Sequence, residues 1–346
     1  MSIDDQTPDE QQSETLQTSE DTNESSFQSR IDLSGINSLV QKIREEVGKV
    51  IVGQHQMIDL LITALLAEGH VLIEGVPGVA KTLTTKLLAQ VIDSDFSRIQ
   101  FTPDLMPADV IGTSVFNPKT TEFDFKKGPV FSNLVLIDEI NRSPAKTQAA
   151  LFEVMEEKQI TVDGTTYLMD SPFMVIATQN PIEHEGTYRL PEAQLDRFLF
   201  KIEVPYPSLE EEVNIIAGSY GRKNKLDIAS LNKVINSKEI EEQRALVSQV
   251  HVEEALMNYI AQIIQNTRNS SSLSIGASPR ASVYVMRACQ AWAAIQGRDF
   301  IAPEDVKYVI RHVLRHRVTL TPEKEMEGIR TDQVIQVILE KVEVPR

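Results

Sequence analysis

The sequence predicts an α/β fold, in which a parallel sheet lies between helices and a smaller all-α domain follows. Helix-like and strand-like segments alternate from about residue 35 to 205, as expected when helices cover both faces of a parallel sheet. After residue 208 the strand-like segments give way to long amphipathic helical patterns. We therefore expect a tail over residues 1–30, an α/β core over 31–207 and a helical domain over 208–346.

Composition favours a globular protein with more than one folded unit. The chain has 346 residues, of which 41% are hydrophobic and 24% are charged, and its net charge is -16. That charge disfavours non-specific binding to nucleic acid or anionic lipid. The sequence contains neither a secretory leader pattern nor an apolar run of membrane-spanning length. These features predict a cytoplasmic protein without membrane insertion, in which the single cysteine, Cys289, is a buried structural thiol.

The elements of the core follow from hydrophobic periodicity. HVLIEG (70–75) predicts a buried strand, and NLVLIDE (133–139) and FMVIATQN (173–180) are typical of inner strands covered on both faces. The helix after the first strand has one apolar face, formed by Leu83, Leu87, Leu88, Val91 and Ile92. Residues 1–30 are polar and acidic and predict a disordered tail, which is either a regulatory segment or a solubilising extension.

Two segments interrupt this alternation, and both predict hairpins. Residues 113–131 alternate around Asn117-Pro118, and residues 158–171 alternate around Asp163-Gly164. Four phenylalanines make the first hairpin apolar, namely Phe116, Phe123, Phe125 and Phe131. Their rings either engage a client at the surface or pack into the protein's own core, and both alternatives stay open at this point.

The segment EGVPGVAKT (74–82) predicts a phosphate-binding loop. Such a loop needs small residues that let backbone N–H groups face the anion, a helix N-terminus, a lysine for charge and a hydroxyl for magnesium. The residues that meet these needs are Gly75, Pro77, Gly78, Lys81 and Thr82. Glycine usually precedes the lysine, and here Ala80 stands there. We expect a negative φ at Ala80, at which its methyl group is tolerated.

Two carboxylates end the second predicted strand, close to where the phosphates would lie. Asp138 is expected to hold magnesium through water, and Glu139 to polarise the water that attacks the phosphate. The loop and this acidic pair together predict a site for ATP and Mg²⁺.

The order of the motifs resembles that of AAA+ ATPases, and closely that of the MoxR family. The motifs are IVGQ (51–54), GVPGVAKT (75–82), LVLIDEINRSP (134–144), ATQNP (177–181), LPEAQLDRF (190–198) and SPRA (278–281). Alanine before the lysine is usual in that family. The resemblance spans about residues 35–335 and implies an AAA+ P-loop core followed by an all-α lid domain.

The resemblance also implies roles for single residues. Asn180 resembles the first sensor, which holds the attacking water and contacts the γ-phosphate. Arg197 resembles the arginine finger, which reaches the γ-phosphate of the neighbouring subunit, and Arg280 resembles the second sensor, which reaches that of its own chain. The residues expected to bind the nucleotide are Val52, Gly53, Gly75, Val76, Pro77, Gly78, Val79, Ala80, Lys81, Thr82 and Leu83.

These arginines also have plainer interpretations. Arg197 is equally placed to form an ion pair with Asp196 or Glu192, and Arg280 to cap a helix. An arginine that acts on a neighbouring subunit implies a ring, and we expect a homo-hexamer that assembles with ATP.

The family implies an ATPase that remodels or matures a partner complex, in the manner of a chaperone, often with a von Willebrand factor A domain protein. The two hairpins resemble the helix-2 insert and the pre-sensor insert of the clade that includes magnesium-chelatase motor subunits. Two other functions suit the same core: a nucleic-acid motor or clamp loader, and a nucleotide switch that hydrolyses slowly. The acidic composition disfavours nucleic acid as a partner.

Two further signals are weaker. His312 and His316 are four residues apart on a predicted helix, but no third ligand with suitable spacing is evident. We expect RHVLRHR (311–317) to be a basic, solvated helix end instead. Trp292 is expected to belong to the core.

Overall fold

A sheet of five parallel strands forms the centre of the protein. The computed structural model describes residues 31–180, 188, 190–221, 228 and 231–345, so the predicted tail lies outside the described residues. Its strands are β1 (His70–Gly75), β2 (Ile92–Asp93), β3 (Phe96–Gln100), β4 (Gly112–Asn117), β5 (Glu122–Lys127), β6 (Leu134–Asp138), β7 (Gln159–Val162), β8 (Thr165–Leu168), β9 (Met174–Gln179), β10 (Phe198–Val204), β11 (Ile235–Asn236), β12 (Leu273–Ile275) and β13 (Thr319–Leu320). The central sheet has the order β10-β1-β9-β6-β3.

Helices cover the sheet and make up most of the chain after it. They are α1 (Ser34–Gly48), α2 (His55–Leu66), α3 (Lys81–Val91), α4 (Pro107–Ile111), α5 (Ala145–Glu157), α6 (Glu192–Leu195), α7 (Leu209–Gly221), α8 (Ser237–Val247), α9 (Glu254–Arg268), α10 (Pro279–Ile295), α11 (Pro303–Leu314), α12 (Pro322–Met326) and α13 (Thr331–Lys341). The predicted fold class, a parallel sheet between helices followed by a helical lid, is confirmed.

Every neighbouring pair in the central sheet is parallel, so all five strands end at the same side. We call this side the carboxyl edge and the opposite side the amino edge. The three predicted strands are β1, β6 and β9, which lie next to one another inside the sheet. The sequence analysis did not identify β3 and β10, which lie at the sheet's two sides. The segments after β1, β6 and β9 therefore meet at the carboxyl edge.

Burial explains why the inner strands read as continuous apolar runs. All five residues of β6 are buried, as are the first four of β1, because helices pack on both faces. Most of the predicted apolar face of α3 is buried as well, namely Leu87, Leu88, Val91 and Ile92. Leu83 is partly buried and packs against the same cluster. These contacts fix the start of α3 against the end of β1.

Both predicted hairpins are present. β4 pairs with β5, and β7 pairs with β8, each in antiparallel register. The four phenylalanines divide between the two alternatives. Phe116 and Phe123 are 50% and 70% exposed and contact each other, whereas Phe125 and Phe131 form a cluster with Tyr167 of the second hairpin. The tip of the first hairpin is therefore apolar and exposed, and its base is packed.

The chain after β10 is mainly helical, with three short strands. β12 pairs with β13, and β11 pairs with β2 near the core. A single buried cluster joins α9, α10, α11 and α13 to the helices beside the sheet. Cys289 is buried in this cluster, as predicted, and Trp292 packs against it, stacked on Tyr308 at 4.1 Å. The proposed limits of the tail, core and lid remain predictions.

Among the described residues, none of the helices has the length and apolar character needed to cross a membrane.

Candidate functional site

The predicted phosphate loop connects β1 to α3 at the carboxyl edge. Gly75 ends β1 against β10, where a Cβ atom would lie 2.9 Å from the carbonyl oxygen of Val204. Gly78 and Ala80 both have positive φ, at 88° and 60°. The expected negative φ at Ala80 is therefore wrong. The loop requires a left-handed residue directly before Lys81, which explains why glycine is usual there and why alanine carries a conformational cost.

Lys81 is the first residue of α3, and its ammonium group lies between two strand ends. Its Nζ donates to the carbonyl oxygen of Gly75 and, at 3.2 Å, to that of Gln179. These carbonyl groups end β1 and β9. The lysine is thus held above the loop, where a phosphate oxygen would replace a carbonyl oxygen as its acceptor.

Thr82 and Asp138 form the predicted metal position. Thr82 Oγ1 donates to Asp138 Oδ1 at 2.9 Å, and Thr178 Oγ1 donates to the same oxygen at 3.2 Å. Hydroxyl and carboxylate oxygens are the donors that Mg²⁺ prefers, so these residues fit that ion. The other oxygen, Asp138 Oδ2, pairs with Arg98 Nε of β3 at 2.6 Å. Neither Thr178 nor Arg98 was identified from the sequence.

Glu139 follows β6 in a left-handed conformation, with φ of 58°. Its backbone N–H donates to Thr178 Oγ1 at 3.0 Å, which ties it to the neighbouring strand. Its carboxylate accepts from Gln100 Nε2 at 2.8 Å and pairs with Arg142 Nε at 3.2 Å. The predicted water-polarising group is therefore held by two side chains that the sequence analysis had not identified.

Three further predicted residues, Asn180, Val52 and Gly53, lie near the carboxyl edge. Asn180 directly follows β9, the strand that lies between β1 and β6, and it is 6% exposed. Val52 and Gly53 are partly buried and precede α2. The side chain of Glu211 lies over Gly53, where a Cβ atom would clash with it. Asn180 is thus placed with the phosphate loop, and Val52 and Gly53 lie at the start of the adjoining helix.

A cleft of 830 Å³ opens beside the phosphate loop, between the sheet and the lid. Gly75 and Val76 of the loop line one side. Three lid arginines line the other side, namely Arg311, Arg315 and Arg330. Arg311 and Arg315 belong to the RHVLRHR segment, which the sequence suggested only as a basic helix end, and Arg330 lies directly before α13.

The expectation that RHVLRHR is a solvated helix end is wrong. His312, His316 and Arg317 are only 6–7% exposed. His316 Nε2 contacts the carbonyl oxygen of Phe198 at 2.9 Å, so the segment packs on the start of β10. Burial, together with Arg315, lowers the pKa of His312 to about 3, and burial together with Arg317 lowers that of His316 strongly. Within the described residues, no three His, Cys, Asp or Glu side chains form a metal-binding group.

The two predicted catalytic arginines lie at the amino edge. Arg197 directly precedes β10, whose first residue pairs with His70 at the start of β1. Arg197 Nε and Arg280 Nη2 both contact Glu156 of α5, at 2.6 and 2.5 Å. The hydrogen bonds from Arg197 and then Arg280 lower the pKa of Glu156. Neither Asp196 nor Glu192, the two partners considered from the sequence, is the acceptor seen here.

Arg280 lies at the opposite edge of the sheet from the phosphate loop of its own chain. Glu156 follows Met155, whose carbonyl oxygen lies 3.1 Å from Nε2 of His70. β1 then runs six residues to Gly75, roughly 16 Å at the usual rise per residue. The role of Arg280 as the second sensor remains a prediction.

A phosphate loop, an acidic pair and a buried Asn at the carboxyl edge of a parallel sheet, next to a helical lid, define a nucleotide-binding core of the AAA+ class. Comparison with known proteins agrees. Residues 70–200 match the ATPase family associated with various cellular activities (AAA), and residues 265–338 match the AAA lid domain.

Individual relatives identify the family within that class. The chain is 45% identical to Chaperone MoxR1 of Mycobacterium tuberculosis, covering 87% of this chain and 81% of that protein. It is also 45% identical to YeaC of Bacillus subtilis, with 90% and 96% covered. A solved structure from Cytophaga hutchinsonii, of a candidate ATPase, has a TM-score of 0.83 and 43% identity over 91% of this chain and 97% of that one. The chain belongs to the MoxR family of AAA+ ATPases.

Proposed function

We propose that this protein hydrolyses ATP with Mg²⁺ as a hexameric ring and uses the energy to remodel or mature a partner protein complex. The observation that carries the proposal is the carboxyl edge, where Lys81 Nζ donates to Gln179 at the end of β9 and Thr82 Oγ1 donates to Asp138 at the end of β6. Charge, hydroxyl and carboxylate are the groups that phosphoryl transfer to water requires, because it depends on positioning and electrostatics.

The proposed roles follow from these positions. Backbone N–H groups of the loop residues 78–82 and the Lys81 ammonium bind the phosphates, and Thr82 and Asp138 hold the metal. Bound Mg²⁺ supplies positive charge to the phosphate oxygens. Glu139 orients and polarises the attacking water, and Asn180 contacts the same water from β9. Gln100 and Arg142 both contact Oε2 of Glu139, so they hold the carboxylate in place for that role.

The ring is supported by the distance between the phosphate loop and Arg197. Arg197 lies at the amino edge and the loop at the carboxyl edge, so a finger role requires a second copy of the chain. A head-to-tail contact that joins unlike surfaces forms a ring when the rotation between successive copies closes on itself. Six subunits is the number that the family resemblance implies.

The client is proposed to include a von Willebrand factor A domain protein. The name of Chaperone MoxR1 supports an action on other proteins. The exposed pair Phe116 and Phe123 at the tip of the first hairpin supplies an apolar contact surface for such a client.

The first test measures ATP hydrolysis by the full-length protein, with and without Mg²⁺. We expect turnover that requires the metal, with Glu139→Gln reducing it to background while ATP still binds. Metal-independent turnover, or none, would contradict the proposed activity.

The second test captures partners from native lysate with tagged Glu139→Gln protein loaded with ATP, and Lys81→Ala as the control. We expect enrichment of a von Willebrand factor A domain protein in the ATP-loaded sample alone. Recovery of DNA-associated factors, with turnover that DNA stimulates and salt suppresses, would favour the nucleic-acid motor instead. Full biological activity of Glu139→Gln would favour the switch.

A further inference from the structure

The cleft beside the phosphate loop is lined by cations from two parts of the lid. Lys307, Arg311 and Arg315 follow one another at intervals of four residues along α11 and its C-cap, so they lie on one face of the helix. Arg330, directly before α13, lines the same cleft. Like charges at this spacing destabilise a helix unless anions lie close by. The cluster therefore favours an anionic partner.

Carboxylates of the described residues offset only part of this charge. Arg315 pairs with Asp332 at 2.6 Å and with Glu203 at 3.7 Å. Glu74, the third carboxylate that lines the cleft, pairs with Lys201 at 2.9 Å. The other cations are exposed, and in the described part of the chain no carboxylate lies within ion-pairing distance of them; they are Lys307, Arg311 and Arg330. These three cations are available to an anionic segment.

The tail, residues 1–30, has the opposite charge. Its side chains include eight carboxylates and one cation, Arg30, so its net charge is -7. The carboxylates are Asp4, Asp5, Asp9, Glu10, Glu14, Glu20, Asp21 and Glu24. Exposed charges attract over about 10 Å at 0.1 M salt. The tail and the cleft are therefore complementary in charge.

The tail also joins the protein close to the cleft. α1 starts at Ser34, and Asn37 in its first turn donates Nδ2 to the carbonyl oxygen of Ile295 at 3.3 Å. One turn earlier on α10, Trp292 stacks on Tyr308 at 4.1 Å, and Tyr308 lines the cleft. Two helical turns and these two contacts span roughly 25 Å. Since thirty residues extend to about 100 Å, the tail can reach the cleft of its own chain.

We infer that residues 1–30 dock in this cleft of their own chain, through ion pairs with Lys307, Arg311 and Arg330, and compete there with nucleotide. The docking is independent of the proposed function, whereas the competition rests on it. Gly75 and Val76 of the phosphate loop line the same cleft, so carboxylates held there place negative charge beside the proposed position of ATP. The tail is then a regulatory segment and not only a solubilising extension.

A peptide titration tests the docking. The probe is a fluorescent peptide of residues 1–30, and the amide-tail protein is the full-length chain with each Asp of the tail changed to Asn and each Glu to Gln. The peptide should bind wild type about tenfold more weakly than the amide-tail protein, because the wild-type tail competes at an effective concentration near millimolar. Raising the salt from about 50 to about 500 mM should weaken binding to the amide-tail protein about tenfold. Equal binding to both proteins, or none, overturns the inference.

Substitutions in the cleft locate the docking site. In the amide-tail protein, Arg311→Gln together with Arg330→Gln should weaken peptide binding by about tenfold or more, because each removes a charge-assisted hydrogen bond. Both side chains are exposed, so the fold should persist. Lys119→Gln together with Lys238→Gln removes two exposed cations outside the cleft and should leave binding unchanged. Equal losses in the two double variants would reduce the interaction to net charge and overturn the site.

ATP affinity tests the competition. In low salt the amide-tail protein should bind ATP about fivefold more tightly than wild type, since no carboxylate competes with the phosphates. The same change of the tail should have no effect in Arg311→Gln, Arg330→Gln protein, where the two alterations remove one interaction. Equal ATP affinity in wild-type and amide-tail proteins overturns the competition and leaves the proposed function standing.

The remaining outcomes separate the inference from the proposed function. If neither protein binds ATP, the proposed function fails, and the peptide titration still decides the docking. A wild-type affinity for the peptide that rises on dilution of the protein would place the tail in the cleft of a second copy. That result overturns docking within one chain.

Discussion

The two edges of the sheet carry different groups of the proposed site and are built differently. At the carboxyl edge, Lys81 and Asp138 lie within a few residues of the strand ends that position them. At the amino edge, Glu156 meets Arg197 across 41 residues of sequence and Arg280 across 124. Short motifs therefore build the first edge, and packing between the sheet and the lid builds the second.

Substitutions at the two edges should therefore have different consequences. A change at the carboxyl edge alters a loop whose backbone is set by its own residues, so nucleotide binding should suffer while the fold persists. A change at the amino edge alters a network shared by α5, β10, α10 and the end of α11. Turnover and stability should then change together.

The largest expected effect separates binding from turnover. Lys81→Ala should weaken ATP binding about 100-fold, because it removes the cation that faces the phosphates. Arg197→Ala should leave ATP affinity within about twofold and lower kcat about 1000-fold, since its proposed role is to stabilise the transition state on a neighbouring subunit. Titration with a fluorescent ATP analogue and steady-state kinetics measure the two quantities.

Lys86→Ala, in the same helix as Lys81 but outside the loop, is the control for general loss of charge. Equal losses of affinity in the Lys81 and Arg197 variants would remove the distinction between the edges. Unchanged affinity in Lys81→Ala would contradict the phosphate loop itself.

Two Arg–Asp pairs, one at each edge, allow the contributions of the two edges to stability to be compared. Arg317 pairs with Asp196 at the amino edge with 1% of its side chain exposed, whereas Arg98 pairs with Asp138 at the carboxyl edge with 54% exposed. Arg317→Met should lower the free energy of unfolding by about 3 kcal/mol, because Asp196 Oδ1 and the carbonyl oxygens of Phe198 and Leu199 lose their buried guanidinium donor. Arg98→Met should lower it by less than about 1 kcal/mol.

Urea unfolding of both variants, with Arg317→Lys as a further comparison, measures these differences. Lysine keeps the charge but not the planar fork that contacts several acceptors, so it should restore only part of the loss. Similar losses in the Arg317 and Arg98 variants would show that the amino edge is no more dependent on buried charge than the carboxyl edge.

The sequence predicted the carboxyl edge well because its information is local. EGVPGVAKT and LVLIDE each contain a strand end and the functional residues that follow it, so burial pattern and chemistry are read together. The exception is Ala80, whose φ depends on how the loop turns its N–H groups inward. Because alanine usually adopts a negative φ, the sequence alone did not indicate a positive φ at Ala80.

The amino edge was not predictable in the same way. RHVLRHR reads as solvated because its charges are dense, and only its packing on Phe198 makes His316 and Arg317 buried. β10 was missed because Lys201 and Glu203 interrupt its apolar pattern. Nothing in the sequence around Glu156 distinguishes it from Glu157, since its two partners come from remote segments.

A smaller expected effect is a dependence of stability on pH, caused by a histidine at the amino edge. His70, at the start of β1, accepts from the N–H of Val175 at Nδ1 and contacts the carbonyl oxygen of Met155 at Nε2. Burial, aided by Lys158, lowers its pKa from 6.5 to about 4. Below pH 6.5 the unfolded chain therefore binds more protons at this residue, and His70 should lower stability by about 1 kcal/mol per pH unit until pH 4, in addition to the contributions of the buried His312 and His316.

Urea unfolding between pH 7 and 4.5 checks this dependence. His70→Asn places an acceptor near the position of Nδ1 and does not titrate, so its slope should be shallower than that of wild type. His251→Asn, at an exposed histidine, should keep the wild-type slope. Identical slopes in all three proteins would remove His70 as the cause.

The smallest effect tests the one residue at which the carboxyl edge departs from the usual motif. Ala80→Gly should raise the free energy of unfolding by about 0.5 to 1 kcal/mol, because glycine adopts the φ of 60° without the steric cost that alanine has. Ala149→Gly, the same change at an exposed position inside α5, should lower it by about 1 kcal/mol. Opposite signs from one chemical change would establish the left-handed conformation. A loss at both positions would mean that the Ala80 methyl group, which packs against the buried cluster, contributes more than its conformation costs.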